Sequence, residues 1–279
     1  MDKRLVASLL MTAVLTACGG GSSTATTAAA VVPAPDVYIG VYRGTTGDGR
    51  TLTSMILNDG TYYYFYSGVP VTTTVAASGS TAASTTTVTN EVGGVVIGTG
   101  TGKSGSFSST TAYDYQMAST GLSTGVSAST LSASYVSTSS MMGTITHNAT
   151  GVASTFTSSY NTTLSSAVPS LASIASIYTG TVGTAGGGTE SLQLIVLPGG
   201  TVTGQSASGC FFSGTIAAHA TNNAYDLNIT FAAATCTYNG VNMLGMGLYD
   251  AAASTLYGAA VKTDKTGGIM FSVKKLASS

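Results

Sequence analysis

An internal repeat constrains the fold of this chain more than any other feature of its sequence. Residues 52–57 (Leu-Thr-Ser-Met-Ile-Leu) recur, 140 residues later, as residues 192–197 (Leu-Gln-Leu-Ile-Val-Leu). A turn glycine follows each phrase, Gly60 in the first copy and Gly200 in the second. Because a repeated sequence indicates a repeated structural unit, the chain is predicted to contain two copies of one domain.

A second pair of matching phrases has a shorter offset and locates an insertion. Ala-Tyr-Asp-Tyr at residues 112–115 is echoed by Ala-Tyr-Asp-Leu at residues 224–227, an offset of 112 residues. The difference between the two offsets places the insertion near residues 68–94 of the first copy, a stretch rich in Thr, Ala and Ser. Asp114 and Asp226 therefore hold equivalent positions, which we interpret as repeat ancestry rather than catalysis.

Each copy has the alternation of β-strands. Apolar and polar residues alternate with period two over residues 225–231, which indicates a strand with one buried face. In the first copy the same pattern predicts that Tyr113, Tyr115 and Met117 face the core. About eight strands per copy are expected, and closing them into antiparallel barrels would remove exposed edges. Sandwiches, a Ser/Thr/Gly-rich solenoid and one fused sheet are the alternatives.

The predicted fold class is all-β, with two repeated small antiparallel barrel or sandwich domains joined by a short helical linker. Apolar residues at helical spacing in Pro169–Tyr178 predict that linker. The predicted segments are a signal peptide (1–17), a lipidated tether (18–35), a first β domain (36–165), the linker helix (166–178) and a second β domain (179–279). A transmembrane barrel is not expected, because the strands lack aromatic girdles.

The chain begins with a short leader. Lys3 and Arg4 precede an apolar run over residues 6–14, which is the order of a secretory signal, and the run is too short to span a bilayer. Leu-Thr-Ala-Cys at residues 15–18 resembles the lipobox of bacterial lipoproteins. The resemblance implies cleavage before Cys18 and acylation of its thiol, so the protein would be attached to a membrane by lipid.

The residues after the leader refine the expected location. Gly19 is not the aspartate that commonly retains lipoproteins in the inner membrane, so the resemblance implies the outer membrane. Residues 18–35 are small and uncharged and include two prolines, which favours a flexible tether. The folded part is thus expected to stand away from the membrane, on its outer surface or facing the periplasm.

Charge is scarce in this sequence. Charged residues make up 7% of the chain, and the formal net charge is −1. After the leader, Lys274 and Lys275 are the only close basic pair, whereas nucleic-acid binding requires clusters of Lys and Arg. We therefore expect no nucleic-acid partner. A small net charge gives weak repulsion between copies, so self-association or a protein partner is expected.

Two cysteines remain once Cys18 is assigned to lipid. Cys210 and Cys236 predict one structural disulfide in an oxidising compartment. The rival interpretation, a redox or metal pair, lacks Cys-x-x-Cys spacing and nearby histidines.

Few residues in the sequence suggest catalysis. His147 and His219 have no carboxylate beside them in the sequence, so each is expected to be a strand-end or turn residue. Carboxylates are spread singly, whereas general acid–base work requires a pair. Gly100–Gly105 fits G-x-G-x-x-G, but it leads into a strand rather than a helix. We therefore predict no enzyme, no catalytic residue, no metal and no cofactor.

The strongest candidate for a functional surface is an aromatic strand. Alternation sends three of its aromatic side chains to one face and two to the other, so both faces are aromatic. The residues are Tyr62, Tyr63, Tyr64, Phe65 and Tyr66. One face can fill a barrel, and the other must cover the neighbouring domain, a ligand or a partner. Core packing with inter-domain contact and an external binding stripe both remain open.

Lipobox, tether and repeated strands together resemble bacterial surface lipoproteins with small β-barrel domains, the group that includes transferrin-binding protein B and factor H-binding protein. The resemblance is one of architecture and implies a barrel fold and an outer-membrane address. The leading functional hypothesis is a non-enzymatic binding or assembly module at the cell surface. The alternatives are a carrier of a small apolar ligand inside a barrel and a periplasm-facing structural lipoprotein of an envelope complex.

Overall fold

The computed structural model describes residues 37–77, 83–117 and 125–277. The predicted signal peptide, Cys18 and the tether at 18–35 lie outside the described residues. Strands make up most of the described chain. Among the described residues, no helix has the length and apolar character needed to cross a membrane.

The first half of the chain forms a closed ring of eight antiparallel strands, barrel 1. The strands of this half are β1 (Gly40–Thr46), β2 (Thr51–Ile56), β3 (Thr61–Tyr66), β4 (Val71–Val75), β5 (Ser84–Val88), β6 (Gly94–Thr99), β7 (Thr101–Lys103), β8 (Ser106–Gln116), β9 (Gly125–Val136), β10 (Ser140–His147) and β11 (Ala153–Tyr160). The ring order is β6-β3-β2-β1-β11-β10-β9-β8, and pairing between β6 and β8 closes it. Strand β7 pairs with the first residues of β8, and β4 and β5 form a separate hairpin between β3 and β6 in chain order.

The second half forms another closed antiparallel barrel, barrel 2, whose strands follow one another around the ring in chain order. They are β12 (Ser176–Thr184), β13 (Thr189–Val196), β14 (Thr201–Ser206), β15 (Phe211–Ala218), β16 (Tyr225–Phe231), β17 (Asn242–Asp250), β18 (Thr255–Val261) and β19 (Gly268–Lys275). Two repeated eight-stranded barrels confirm the predicted fold class, and the barrel alternative is the one observed.

Equivalent turns support the repeat. Gly60 and Gly200 both have φ of +81°, a backbone conformation that glycine adopts at little cost. A Cβ atom on Gly60 would lie 2.3 Å from the carbonyl oxygen of Gly100, and one on Gly200 would lie 2.4 Å from that of Ile216. Both turns therefore require glycine for its backbone freedom and its lack of a side chain.

Two short helices join the barrels, α1 (Thr162–Ser166) and α2 (Leu171–Ile174). The side chain of Asn161 caps α1 by accepting a hydrogen bond from the backbone N–H of Leu164 at 2.9 Å. The helical spacing in the sequence continued to Tyr178, but β12 begins at Ser176. Pairing of β12 with β13 and β19 closes barrel 2, and this tertiary pairing overrides the local helical pattern.

A β-bulge in β8 reverses which residues face the interior of barrel 1. The register with β9 shifts between Ser109 and Ala112, so one extra residue is inserted. Beyond the bulge, Asp114 and Gln116 face inward. Tyr113 and Tyr115 face outward, as does Met117, so the expectation that these three residues face the core of their own barrel was wrong.

The outward residues of barrel 1 pack against barrel 2. A shared apolar cluster contains Val41, Met55, Tyr63, Phe65, Tyr115 and Met117 from barrel 1, and Met246, Leu248, Ala259 and Met270 from barrel 2. Arg43 and Asp250 form an ion pair across the same boundary. Residues Pro35–Ser279 accordingly form one compact unit.

Candidate functional site

A cavity of about 290 Å³ opens at one end of barrel 1. Strand directions place the β1–β2 turn, the β4–β5 hairpin and the β10–β11 turn at this same end. The apolar side chains lining the cavity are Leu52, Val96, Ile145, Val152, Ala153 and Phe156. We call this cavity the mouth. Its size is near the lower end for small-molecule sites, and barrel mouths are common places for them.

Four polar side chains meet in the wall of the mouth, three of them at the ends of strands β3, β8 and β10. The hydroxyl of Tyr66 donates to Asp114 Oδ1 at 2.6 Å, and the Gln116 amide donates to Asp114 Oδ2 at 3.0 Å. His147 Nε2 lies 2.8 Å from the same Oδ2 atom. All four residues are buried, with Asp114 only 5% exposed. Because three donors converge on one carboxylate, its position in the mouth is fixed.

A glycine makes this geometry possible. Tyr66 on β3 must reach across β6 to meet Asp114 on β8, and Gly94 is its cross-strand neighbour on β6. A Cβ atom on Gly94 would lie 2.2 Å from the Tyr66 hydroxyl oxygen. The missing side chain therefore leaves the path that the tyrosine occupies.

A guanidinium lies on the other side of Tyr66. Arg50 is 2% exposed, its Cζ atom lies 5.3 Å from the centre of the Tyr66 ring, and its Nε donates to Asp48 Oδ2 at 2.8 Å. Burial, with the charge of Asp114 as a second cause, raises the pKa of Tyr66 well above its usual value. Tyr66 therefore stays protonated and acts as a hydrogen-bond donor.

The aromatic strand predicted as a candidate binding surface is buried on both faces. Tyr62, Tyr64 and Tyr66 fill barrel 1, whereas Tyr63 and Phe65 belong to the cluster shared with barrel 2. The ring centres of Phe65 and Tyr257 are 6.1 Å apart across that boundary. The strand is therefore not an exposed stripe, and Tyr66 alone among the five lines the mouth.

Both histidines have an aspartate partner that sequence reasoning missed. His147 contacts Asp114 inside barrel 1, and His219 Nδ1 lies 2.9 Å from Asp226 Oδ1 on the more exposed surface of barrel 2. The two aspartates hold the fifth strand position of their barrels, β8 and β16, in agreement with the 112-residue offset. That shared position was the available signal, but the partners come from other strands or loops.

Barrel 2 has a different interior. Its core is filled by side chains from all eight strands, including Leu194, Phe212 and Phe271. Cys210 and Cys236 form a disulfide beside this core. The inward-facing aspartate of barrel 1, Asp114, therefore has no inward-facing equivalent on β16, because Asp226 points outward and is exposed.

The polar cluster does not assemble a nucleophile with its base. Ser129 lies opposite His147 in the pairing of β9 with β10, but its hydroxyl donates to the Ser127 carbonyl at 3.0 Å. In the part of the chain that the structure describes, no group of three His, Cys, Asp or Glu residues is placed to hold a metal ion. The arrangement is suited to orienting a bound molecule by hydrogen bonding and charge.

The β4–β5 hairpin is the most exposed element at the mouth end. Its strands pair only with each other, and Val71 and Val88 are 62% and 64% exposed. The hydroxyls of Thr72 and Thr87 lie 3.0 Å apart across the strands. An isolated two-stranded hairpin is only marginally stable in water, so this element depends on its attachment to barrel 1.

No protein-family model and no curated protein sequence matches the chain. The structure is similar to that of isotype 1 transferrin binding protein B from serogroup B Neisseria meningitidis, at 10% identity over 82% of this chain and 66% of that one, with a TM-score of 0.28. It is also similar to a double mutant of transferrin binding protein B from Haemophilus parasuis Hp5, at 9% identity over 82% of this chain and 54% of that one, with a TM-score of 0.31. The chain spans less than two thirds of the length of these neighbours. Its function is therefore inferred from its own residues.

Proposed function

We propose that this chain is a non-enzymatic binding protein of the cell envelope and that barrel 1 holds a small ligand in its mouth. The observation that carries the proposal is a cavity lined by apolar side chains together with a cluster of four buried polar ones. A mostly apolar concave site with a few converging polar groups is the usual form of a small-molecule pocket. The cluster then sets the orientation of the ligand.

The difference between the two barrels supports this division of roles. An eight-stranded barrel is just wide enough to be filled by side chains or to hold one small ligand. Barrel 2 has Phe212 and Phe271 inside it, and the carboxylate lining the cavity of about 250 Å³ at its end, that of Glu190, is bonded to Ser208. In barrel 1 the aromatic residues fill one part, and the described residues leave a cavity at the end that carries Asp114 and His147.

A cavity-filling variant tests the proposal. Ser154 lines the mouth in phase with the inward-facing Phe156, so Ser154→Trp should fill the cavity. The matched control is Thr157→Trp, because Thr157 lies on the same strand but is exposed. A fragment library screened by ligand-observed NMR should give hits for the wild type and the control, and lose them in Ser154→Trp. Wild-type protein without hits, or hits unaffected by Ser154→Trp, would overturn the proposal.

The sequence supports a lipid-anchored location for this activity. We propose that Cys18 carries the lipid, that residues 18–35 form the tether, and that the anchor lies in the outer membrane. The folded part would comprise a first β domain (36–165), a linker (166–178) and a second β domain (179–279). Cys18→Ser should move the protein from the membrane fraction to the soluble fraction. Protease treatment of intact and permeabilised cells then determines which side of the membrane it faces.

A second candidate function is self-association through the β4–β5 hairpin. Both strands have an unpaired edge, and residues 68–90 contain no charged side chain. Charges on edge strands normally prevent strand-to-strand pairing. Thr73→Lys should therefore reduce the mass measured by light scattering if copies pair here, whereas Thr157→Lys on barrel 1 should not. A monomeric wild-type protein would exclude this candidate.

A further inference from the structure

We infer that the mouth of barrel 1 selects a small organic cation with an apolar body, such as an amine attached to an aromatic or branched aliphatic group. This inference rests on the proposed ligand-binding function and narrows it to one chemical class. Its basis is the balance of charge around the cavity, together with the position of Asp114 relative to the apolar walls.

The lining of the mouth carries more negative than positive charge. Its titratable side chains are Asp48, Arg50, Tyr66, Asp114 and His147. Tyr66 is a neutral donor, because its hydroxyl is buried and bonded to Asp114. Among the described residues that line the mouth there are thus two carboxylates and one guanidinium, and the imidazole of His147 is the only other group that can become positive.

The single guanidinium is already engaged. Arg50 Nε donates to Asp48 Oδ2 at 2.8 Å, and the same guanidinium lies over the ring of Tyr66. These two opposite charges offset each other within hydrogen-bonding distance. Asp114 is therefore the carboxylate whose charge is left for a ligand.

Asp114 has hydrogen bonds, but its partners supply no fixed positive charge. The hydroxyl of Tyr66 and the amide of Gln116 are neutral, and His147 is positive only when it is protonated. A buried charge is stable when it is both hydrogen-bonded and paired with an opposite charge. While the imidazole is neutral, Asp114 meets only the first of these conditions. A bound cation would meet the second.

The rest of the cavity accepts an apolar body. Leu52, Val96 and Ile145 project into it beside the polar cluster, and Phe156 adds an aromatic wall. A ligand with its charge at one end would place that end near Asp114 and bury the remainder against these side chains. An anion in the same place would be repelled by the carboxylate of Asp114. The guanidinium of Arg50 would not offset this repulsion, because it is already bonded to Asp48.

The test compares three ligands of similar shape and different charge. Benzylamine, benzyl alcohol and benzoate are titrated by calorimetry into the purified full chain at about pH 8. We expect benzylamine to bind at least about tenfold more tightly than benzyl alcohol, and benzoate to bind more weakly than both. This comparison on the wild-type protein requires no variant to fold.

A pair of equivalent variants assigns the selectivity to Asp114. Asp114→Asn should weaken benzylamine binding about tenfold or more and leave benzyl alcohol binding nearly unchanged. The control is Asp226→Asn, at the equivalent but exposed position in barrel 2, which should leave both affinities unchanged.

The outcomes separate this inference from the function on which it rests. Cation selectivity would be overturned if benzyl alcohol or benzoate bound as tightly as benzylamine. It would also be overturned if the Asp114→Asn variant kept its preference for benzylamine. Either result would leave a ligand-binding mouth in place. Failure of all three ligands, with fragment hits that Ser154→Trp removes, would also overturn only the inference. Failure of all three with no fragment hits would overturn both proposals.

Discussion

Tyr66 donates its hydroxyl hydrogen to Asp114 over 2.6 Å inside barrel 1, and the bond crosses Gly94 of the strand between them. It connects β3 to β8 over β6, so three neighbouring strands are linked at the mouth. A hydrogen bond to a charged group is among the stronger ones in proteins. The relationship therefore stabilises the barrel at the place where it also fixes the carboxylate that faces the ligand cavity.

Removal of the Tyr66 hydroxyl should lower the stability of the folded protein. Tyr66→Phe is expected to lower the free energy of unfolding by about 1.5–3 kcal/mol, because it removes a hydrogen bond to a buried carboxylate. The control is Tyr178→Phe in barrel 2, whose hydroxyl donates to the neutral carbonyl of Ile174 at 2.6 Å and should cost about 0.5–1.5 kcal/mol. Urea unfolding measures both. A smaller loss for Tyr66→Phe than for Tyr178→Phe would contradict the role given to this bond.

The shared apolar cluster should make the two barrels unfold together. Phe65→Ala removes the ring that packs near Tyr257 of barrel 2, and loss of a buried phenylalanine costs about 3–5 kcal/mol. Scanning calorimetry should show one transition for the wild type and a lower or divided transition for the variant. Phe211→Ala is the control, since Phe211 is partly exposed on barrel 2. An unchanged transition in Phe65→Ala would show that the contact does not couple the barrels.

The disulfide should stabilise barrel 2. Closing the loop between Cys210 and Cys236 is worth about 3 kcal/mol in the chain-entropy view. Replacing both cysteines by Ala should therefore lower the melting temperature, and adding a reductant to the wild type should have a similar effect. If neither treatment changed the melting temperature, the disulfide would have no structural role.

High pH should unfold the protein through its buried tyrosines. Burial raises the pKa of Tyr62 to about 12 and also raises the pKa values of Tyr42, Tyr64 and Tyr66. Unfolded tyrosines titrate near pH 10, so the folded state holds these protons more tightly. Their contribution to stability is complete below about pH 10 and is lost as the pH rises further. Tyrosinate absorbance should increase together with loss of near-ultraviolet circular dichroism, whereas titration of all tyrosines near pH 10 in a folded protein would contradict their burial.

The architecture was accessible from the sequence because it depends on local and repeated patterns. Period-two alternation over residues 225–231 corresponds to β16, and the turn glycines Gly60 and Gly200 mark equivalent hairpins. The second offset correctly related strand β8 to strand β16, although Asp114 and Asp226 face opposite sides of their barrels. Each of these features can be read from neighbouring residues in the chain or from the similarity between its two copies.

The site was less accessible because it depends on long-range contacts and on one bulge. The extra residue between Ser109 and Ala112 turns Asp114 inward, and alternation alone cannot reveal such a reversal. His147 reaches Asp114 from two strands further along the ring. For the aromatic strand, alternation correctly predicted two aromatic faces but could not say what covers the second one. The face that carries Phe65 packs against barrel 2.

The most direct test of the central claim is the location of a bound ligand. Methyl groups of Leu52, Val96 and Ile145 line the mouth, whereas those of Leu194, Val202 and Ile216 lie inside barrel 2. In methyl NMR spectra of the wild-type protein titrated with benzylamine, or with the tightest-binding fragment if benzylamine does not bind, we expect saturable shifts in the first group and none in the second. Shifts confined to barrel 2 or to the surface, or no saturable shift at all, would contradict a ligand site in the mouth of barrel 1.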